Sequence, residues 1–235
     1  MPTLRKLATG AASCLLLTPI VFGQQEYVGK YDVYGGFMYL SSPLIKLGET
    51  GFHTQIGTNP TRWYAVGFDF STGTGDTILV PSMVKQSVSQ QISAQLAPLI
   101  QAGALPPNYQ LQLPLHSSSQ TYAMGPQLTF RHFRSVTLFV RPDLGAIHET
   151  ATPHPTDLIG KALVAQLAPS GVKEDWTYFY GFAGGADFNI TRQFGLRVQV
   201  DFVRDHLFDD LLDWRNSVRF SIGPSFHFGP NVPAR

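Results

Sequence analysis

The sequence predicts an all-β fold: an eight-stranded antiparallel up-and-down transmembrane β-barrel with helical insertions in two long extracellular loops. Three observations predict this fold. Apolar and polar residues alternate strictly, few residues are charged, and short and long connections between the strands alternate. Only 14% of the residues are charged, whereas soluble domains usually carry about 25%. Aromatic residues make up 12% and glycines number 22, which favours strands with close contacts.

The first 23 residues are predicted to be a cleaved secretory signal peptide. A basic start, MPTLRK, precedes the apolar run LATGAASCLLLTPIVF, and the cleavage site is expected at Val21-Phe22-Gly23. Cys14 is the only cysteine and would leave with the signal, so no internal disulfide is expected. As an alternative, Cys14 is a lipoprotein attachment site, although the preceding Ala11-Ala12-Ser13 lacks the usual leucine.

Cleavage leaves residues 24–235 as a single outer-membrane barrel domain. Arg5 and Lys6 leave with the signal and no acid does, so 15 of the 17 basic residues remain beside 16 acidic ones. This balance provides no basic surface for nucleic acid. No run of about 18–20 apolar residues remains for a transmembrane helix, but a closed barrel can cross a membrane because every backbone group finds a partner strand.

The stretch NSVRFSIGPSFHFG (residues 216–229) has the clearest alternation. Successive side chains of a strand point to opposite faces, so one face of this strand is apolar and the other polar. The apolar parity comprises Val218, Phe220, Ile222, Phe226 and Phe228. Seven further segments repeat the pattern, and most are long enough for a tilted crossing, which needs about 9–11 residues. The predicted strands are residues 31–42, 51–59, 63–71, 121–133, 136–149, 177–191, 194–208 and 216–229.

The connections between these strands alternate in length. Short turns are predicted at residues 59–62, 134–135 and 192–193, and longer connections at residues 43–50, 72–120, 150–176 and 209–215. Short turns at one rim and long loops at the other are typical of bacterial outer-membrane barrels, with the turns in the periplasm. An even strand number also leaves both termini on the periplasmic side. The barrel is therefore expected to be surrounded by outer-membrane lipid.

Charged residues recur on the inward parity of the predicted strands. Eight strands enclose a space that side chains nearly fill, and buried charges must be paired because an isolated one is costly. The sequence therefore predicts a barrel interior plugged by arginine–aspartate pairs rather than an open pore. The predicted interior network comprises Asp69, Arg131, Arg141, Asp143, Asp187, Arg197, Asp201 and Arg219.

Aromatic residues at the strand ends predict the interfacial girdles of a membrane barrel. The residues are Tyr39, Trp63, Tyr64, Tyr122, Trp176 and Tyr178. A soluble periplasmic barrel or sandwich, with the apolar parity as its core, is the alternative. Long strands, short turns and charges on the minority parity favour the membrane.

The segments YGGFMYL near the start and VRFSIGPSFHFG near the end resemble the OmpA-like and opacity-type porin families of outer-membrane barrels. The resemblance covers most of residues 26–229 and implies an outer-membrane location. Ser221, Gly223, Phe226 and Phe228 resemble the C-terminal assembly signal of such proteins, which implies recognition by the barrel-assembly machinery. Two departures from the resemblance are expected to matter: the segment GPNVPAR follows Phe228, and no peptidoglycan-binding domain is expected after the barrel.

Two of the long connections contain helical periodicity. In residues 82–100, Val84, Val88 and Ile92 recur at helical spacing. In residues 156–169, Thr156 or Asp157 is a candidate N-cap, before Leu158, Ala162, Leu163 and Leu167 on one face. Two such helices predict an extracellular lid over the barrel. A ligand or partner protein is expected, if anywhere, at loops 72–120 and 150–176, because long loops on rigid scaffolds often carry binding sites.

Three function classes follow from the sequence. The first is a structural or interaction anchor, the second a narrow channel for small solutes, and the third a lipid-modifying hydrolase, which needs a serine and histidine in contact. Candidates for the third are His206 with Asp205 and Ser217, and His148-Glu149, neither in a family-like arrangement. The histidine spacings do not suggest a metal site. We therefore predict no enzyme, catalytic residue, cofactor or metal.

Overall fold

The computed structural model describes residues 25–233, which form a closed barrel of eight antiparallel strands. Neighbours in sequence pair in order, and β8 closes onto β1, so the predicted fold class is confirmed. The predicted signal peptide, residues 1–23, and Cys14 lie outside the described residues. The strands are β1 (Gly29–Ser42), β2 (Leu47–Thr58), β3 (Tyr64–Leu79), β4 (Leu113–Phe130), β5 (Val136–Pro153), β6 (Lys173–Asn189), β7 (Phe194–Asp205) and β8 (Arg215–Asn231).

The outer surface of the barrel is apolar and its inside largely polar. Phe37, Met124 and Leu144 point outward with 54%, 64% and 63% of their surface exposed, while Arg197 and Asp201 point inward and are buried. A soluble barrel would have the reverse arrangement, so the exposed apolar band fits a lipid environment. None of the helices within residues 25–233 is long and apolar enough to cross a membrane.

Most strands continue further on the extracellular side than predicted. β3 runs to Leu79 and pairs there with Leu113 of β4, so the connection is residues 80–112 rather than 72–120. β5 and β6 are also longer than predicted, so the connection between them is residues 154–172 instead of 150–176. The lipid-facing pattern stops where Asp76 and His116 point outward, but the backbone pairing continues. The alternation of apolar and polar residues therefore predicted the part of each strand that crosses the membrane. It did not predict the part that extends beyond the membrane on the extracellular side.

The remaining connections also differ from their predicted limits. Residues 43–50 were expected to be a long loop, but β2 already begins at Leu47 after a 3-10 turn at Pro43–Ile45. β7 ends at Asp205, three residues early, and is followed by a compact turn before β8. β4 ends at Phe130, so Arg131 lies just beyond the strand.

Both predicted loop helices are present: α1 (Gln86–Gln101) and α2 (Leu158–Leu167). Asp157 is the N-cap of α2, and its Oδ1 accepts a hydrogen bond of 2.6 Å from the Gly160 N–H. Leu158 was predicted on the packed face of α2 but is 81% exposed. Ala162 and Leu163, which were predicted on the same face, do face α1, together with Ile159.

An apolar cluster closes the extracellular mouth of the barrel. Leu207, Phe208 and Leu212, from the connection between β7 and β8, pack with Met83 and with inward residues such as Phe179. Leu207 is fully buried. The loops therefore cover the mouth with a small hydrophobic core of their own.

The first and last described residues are tied together at the periplasmic end of the barrel. The Arg62 guanidinium donates hydrogen bonds to the carbonyl oxygens of Gln25, Glu26 and Val232 at 2.8, 3.0 and 2.9 Å. The Val232 N–H donates to the Val28 carbonyl at 2.9 Å. Arg62, on the turn between β2 and β3, thus holds the segments that precede β1 and follow β8 close to each other.

Candidate functional site

Five predicted interior residues form one cluster in the middle of the barrel. Arg141 of β5 pairs with Asp69 of β3 and, at 2.9 Å from Nε to Oδ1, with Asp143. Arg219 of β8 pairs with Asp201 at 2.6 Å, and Arg141 lies 3.9 Å from the same carboxylate. Each of these side chains is less than 5% exposed. The two arginines therefore join four strands through three carboxylates.

Hydrogen bonds extend this cluster to the opposite wall. The Arg219 Nη1 donates to Ser71 Oγ of β3 at 2.7 Å and to Thr121 Oγ1 of β4 at 3.0 Å. β4 lies four strands from β8 in either direction around the barrel, so Arg219 spans the lumen. On the other side, His53 Nδ1 lies 3.0 Å from Ser221 Oγ and joins β2 to β8.

Arg197 and Asp187 form a second pair closer to the periplasm. Arg197 Nε and Nη2 donate to the two Asp187 oxygens at 2.7 and 2.8 Å, a bidentate arrangement. Its Nη1 donates to Gln55 Oε1 of β2 at 2.5 Å. The rings of Tyr34 and Phe139 lie 5.4 and 4.9 Å from the guanidinium carbon, within the range of cation–π interactions.

The structure places Arg131, the remaining predicted network residue, at the periplasmic rim. It is half-buried, and its guanidinium donates to the Arg62 carbonyl at 2.9 Å and to Asn59 Oδ1 at 3.0 Å. Its short hydrogen bonds therefore go to uncharged oxygens, and it is not joined to the central cluster.

A third charged cluster, near the extracellular mouth, was missed by the sequence reasoning. Arg215 pairs with Glu149 at 2.7 Å and with Asp205 at 3.1 Å. Ser117 Oγ lies 2.8 Å from a Glu49 oxygen and 3.0 Å from a Glu149 oxygen. Glu149 and Asp205 keep the inward parity of their predicted strands, so that signal was available. Glu49 and Arg215 fell in segments predicted to be loops.

The buried interior contains more acids than the predicted set of four arginines and four aspartates. Among residues 25–233, eight carboxylates but only four guanidiniums are buried. By number, carboxylates therefore outnumber guanidiniums among the buried side chains. The buried acids are Asp32, Glu49, Asp69, Asp143, Glu149, Asp187, Asp201 and Asp205, and the buried arginines are Arg141, Arg197, Arg215 and Arg219.

The residues of the predicted assembly signal lie on β8, at the seam with β1. Gly223 points inward, where a Cβ atom would overlap the backbone of Gly35 and Gly36. The Phe226 ring packs 4.7 Å from Phe194 and the Phe228 ring 5.6 Å from Tyr31. Ser221 is the partner of His53 described above. Gly223 and Phe228 therefore pack against β1 at the seam, whereas Phe226 packs on β7 and Ser221 contacts β2. Recognition by the assembly machinery stays a prediction.

The first candidate catalytic set is separated by the structure. The His206 ring is stacked on Trp214 at a centroid distance of 4.5 Å. Asp205 points inward to Arg215, and Ser217 Oγ lies 2.6 Å from Ser42 Oγ. These three side chains are engaged with different partners, so they do not form a nucleophile, base and orienting acid.

The second candidate pair is divided between the two faces of β5. The His148 ring is stacked on Trp176 at 4.5 Å, while its neighbour Glu149 points inward to Arg215. Among the described residues, no group of three or more His, Cys, Asp and Glu side chains is placed to hold a metal ion. The absence of enzyme activity stays a prediction.

A hydrogen bond joins the two long connections above the barrel. The Tyr109 hydroxyl, which follows α1, donates to Asp157 Oδ2 at 2.5 Å. This hydroxyl and the Gly160 N–H hold the pKa of Asp157 below its usual value. Burial, together with the hydrogen bond to Asp157, raises the pKa of Tyr109 to about 12. The N-terminus of α2 is thereby fixed to the other connection.

Replacing Asp157 with alanine is expected to destabilise α2 by about 1 kcal/mol, the usual effect of losing an N-cap. Because the pKa of Asp157 is lower in the folded cap than in the unfolded chain, this stabilisation is present above about pH 4. It is lost as the pH falls through the folded pKa. Amide hydrogen exchange of α2 in nanodiscs, corrected for intrinsic rates, measures both effects. Exchange in Asp157→Ala no faster than in the control Asp209→Ala would contradict this role.

Solved structures of small outer-membrane barrels have the same fold. OprG from Pseudomonas aeruginosa is 12% identical, with a TM-score of 0.50 over 88% of this chain and 99% of that one. Ail of Yersinia pestis is 11% identical, with a TM-score of 0.48 over 87% and 100%. Neisserial surface protein A is 12% identical, with a TM-score of 0.48 over 86% and 100%. No known family and no curated protein matches the sequence.

These likenesses concern the fold alone, and the predicted small outer-membrane barrel class is confirmed. Together with the apolar outer surface and polar interior, the fold places the chain in the bacterial outer membrane.

Proposed function

We propose that the chain is a non-conducting outer-membrane anchor that holds a folded extracellular cap, built from residues 80–112 and 154–172. The observation that supports this is the crossing of the lumen by arginine side chains. Arg219 joins β8 to β3 and β4, and Arg197 joins β7 to β2. Conduction needs a continuous water path, and these bonds lie across it. The apolar cluster around Leu207 adds a second obstruction above them.

The cap is the interacting part of this proposal. Binding residues concentrate on long loops that a rigid scaffold positions, and here the scaffold is a closed barrel. The hydrogen bond between Tyr109 and Asp157 holds the two connections together at one point. Insertion through the barrel-assembly machinery, by way of β8, is part of the same proposal.

A narrow cation channel is the second candidate, and the acidic surplus of the interior favours it. Eight buried carboxylates face four buried arginines, so any water path through the lumen would select cations. An anion channel is not favoured by this charge balance.

Planar-bilayer recording of the refolded protein separates the two candidates, with the gel shift on heating as proof of a folded barrel. The anchor predicts a heat-modifiable barrel without steady current. It also predicts that Arg219→Ser passes no steady current, because Arg197 and the apolar cluster around Leu207 still lie across the path. The matched control is Arg204→Ser, because Arg204 points outward over Trp214. A steady cation current from the unaltered protein would overturn the anchor and support the channel.

A further inference from the structure

An apolar cavity lies beneath α2, at the extracellular mouth of the barrel. Its volume is about 70 Å³. Leu115 and Ala151 form the wall on the barrel side, Val164 and Leu167 come from α2, and Leu212 comes from the connection between β7 and β8. The cavity therefore lies where three separate parts of the chain meet.

The polar side chains of the lining are already engaged elsewhere. Thr77 Oγ1 donates to the Ile45 carbonyl at 2.7 Å, Glu149 pairs with Arg215 at 2.7 Å, and Lys173 pairs with Asp210 at 2.7 Å. All other lining side chains are apolar.

Such a lining is poorly suited to water. A cavity needs roughly 10–15 Å³ to hold one water molecule, and each water needs two to four polar partners. This cavity has the room but few partners. An apolar guest satisfies the walls better than water does, because it removes apolar surface from water without requiring hydrogen bonds.

We propose that this cavity is a binding site for a small, uncharged apolar molecule that arrives from the extracellular side. The proposal rests on the function proposed above, in which the cap is the interacting part, and it names the class of ligand. Lys173, the cation of the lining, is paired with Asp210, so a carboxylate on the ligand finds no free partner.

The position of the lining favours a free molecule over the acyl chain of a membrane lipid. Leu115 and Ala151 are on the inward parity of β4 and β5, so the strands themselves separate the cavity from the bilayer. Both residues also lie above Tyr122 and Trp176, the girdle residues of this side. A tethered acyl chain would have to cross the barrel wall to reach the site.

A neighbouring groove provides room for a larger ligand. It has a volume of about 110 Å³ and lies between α1 and α2, with Ile92 and Leu96 on one side and Ile159 and Leu163 on the other. Helix α2 is the common wall of the cavity and the groove. A helix of ten residues has little stability of its own, so a displacement of α2 would join the two spaces.

Methyl NMR of the protein in nanodiscs tests the site, with benzene as the probe. Benzene also dissolves in the bilayer, so the lipid-facing Leu138 and Leu144 report partitioning. We expect saturable shift changes at Leu115, Val164 and Leu212, and only proportional changes at the lipid-facing pair. We expect hexanoate to bind at least tenfold more weakly than benzene.

Filling the cavity provides the matched comparison. Ala151→Phe is expected to abolish the saturable shifts, whereas Ala146→Phe, the same change on the lipid face of β5, is expected to keep them. Ala168→Phe fills the same space from the end of α2 and replaces Ala151→Phe if that variant does not show the gel shift of a folded barrel.

Each outcome bears on one of the two proposals. Absence of saturable shifts, or their persistence in the filled variant, would overturn the apolar site, and equal binding of hexanoate would overturn the uncharged ligand. Neither result affects the anchor, which is tested by the recordings of the unaltered protein. A steady current with saturable benzene binding would overturn the anchor and leave the site standing.

Discussion

Replacing Arg197 with methionine is expected to lower the free energy of unfolding by about 3–5 kcal/mol, the usual effect of removing one partner of a buried ion pair. Asp187 would lose both of its guanidinium contacts, at 2.7 and 2.8 Å, while staying buried. Gln55 would lose its donor on the opposite wall. Urea unfolding in detergent micelles, followed by the heat-modifiable band, measures the change.

Two controls separate the buried pair from a general effect of losing an arginine. Arg204→Met removes an exposed, outward arginine and is expected to change stability by less than about 0.5 kcal/mol. The double variant Arg197→Met, Asp187→Leu removes both buried charges and is expected to recover much of the loss. A cost for Arg197→Met no greater than that of Arg204→Met would show that the pair does not stabilise the barrel.

Replacing Gly223 with alanine is expected to destabilise the seam by about 1–3 kcal/mol, the range for overpacking a tight site. A Cβ atom there overlaps the backbone of Gly35 and Gly36, so β1 and β8 must separate to accommodate it. Gly36→Ala makes the same kind of overlap from the other strand, against the backbone of Ile222. Both variants are therefore expected to refold with similar losses of stability.

The pair of glycine variants also tests recognition by the assembly machinery. Gly223 is in the C-terminal signal and Gly36 is not, so machinery-catalysed insertion into liposomes should slow more for Gly223→Ala. Phe228→Ala, which leaves the seam backbone unaltered, should slow it as well. Equal slowing by the two glycine variants would refute a signal role for Gly223 and leave packing as its only function.

Alternation in the sequence was sufficient to predict which residues face inward and how the strands follow one another. Arg141, Asp143 and Arg219 share the inward parity and are buried, because in a strand the parity of a residue determines its face. Parity does not determine the partner across the lumen. The contact of Arg197 with Gln55 depends on the stagger of the closed barrel, which no local pattern specifies.

Other features were missed for a different reason. Glu49 and Arg215 lie where the outward side chains no longer meet lipid, so the apolar half of the alternation is absent although the strands continue. The limits of the connections predicted at residues 72–120 and 150–176 were wrong for the same reason. Leu158 was assigned to the packed face of α2 from helical spacing alone, whereas the position of the helix on the barrel determines which face is covered.

The continuation of the strands above the girdle also affects how the protein meets its surroundings. From Tyr122 to Leu113, β4 continues for about nine residues. At roughly 3.4 Å per residue and a tilt of about 40°, this segment rises about 20–25 Å. The ends of β4 and β5 that carry the two long connections therefore lie well above the lipid head groups. For the proposed anchor, this height means that the barrel would hold the two long connections clear of the membrane surface.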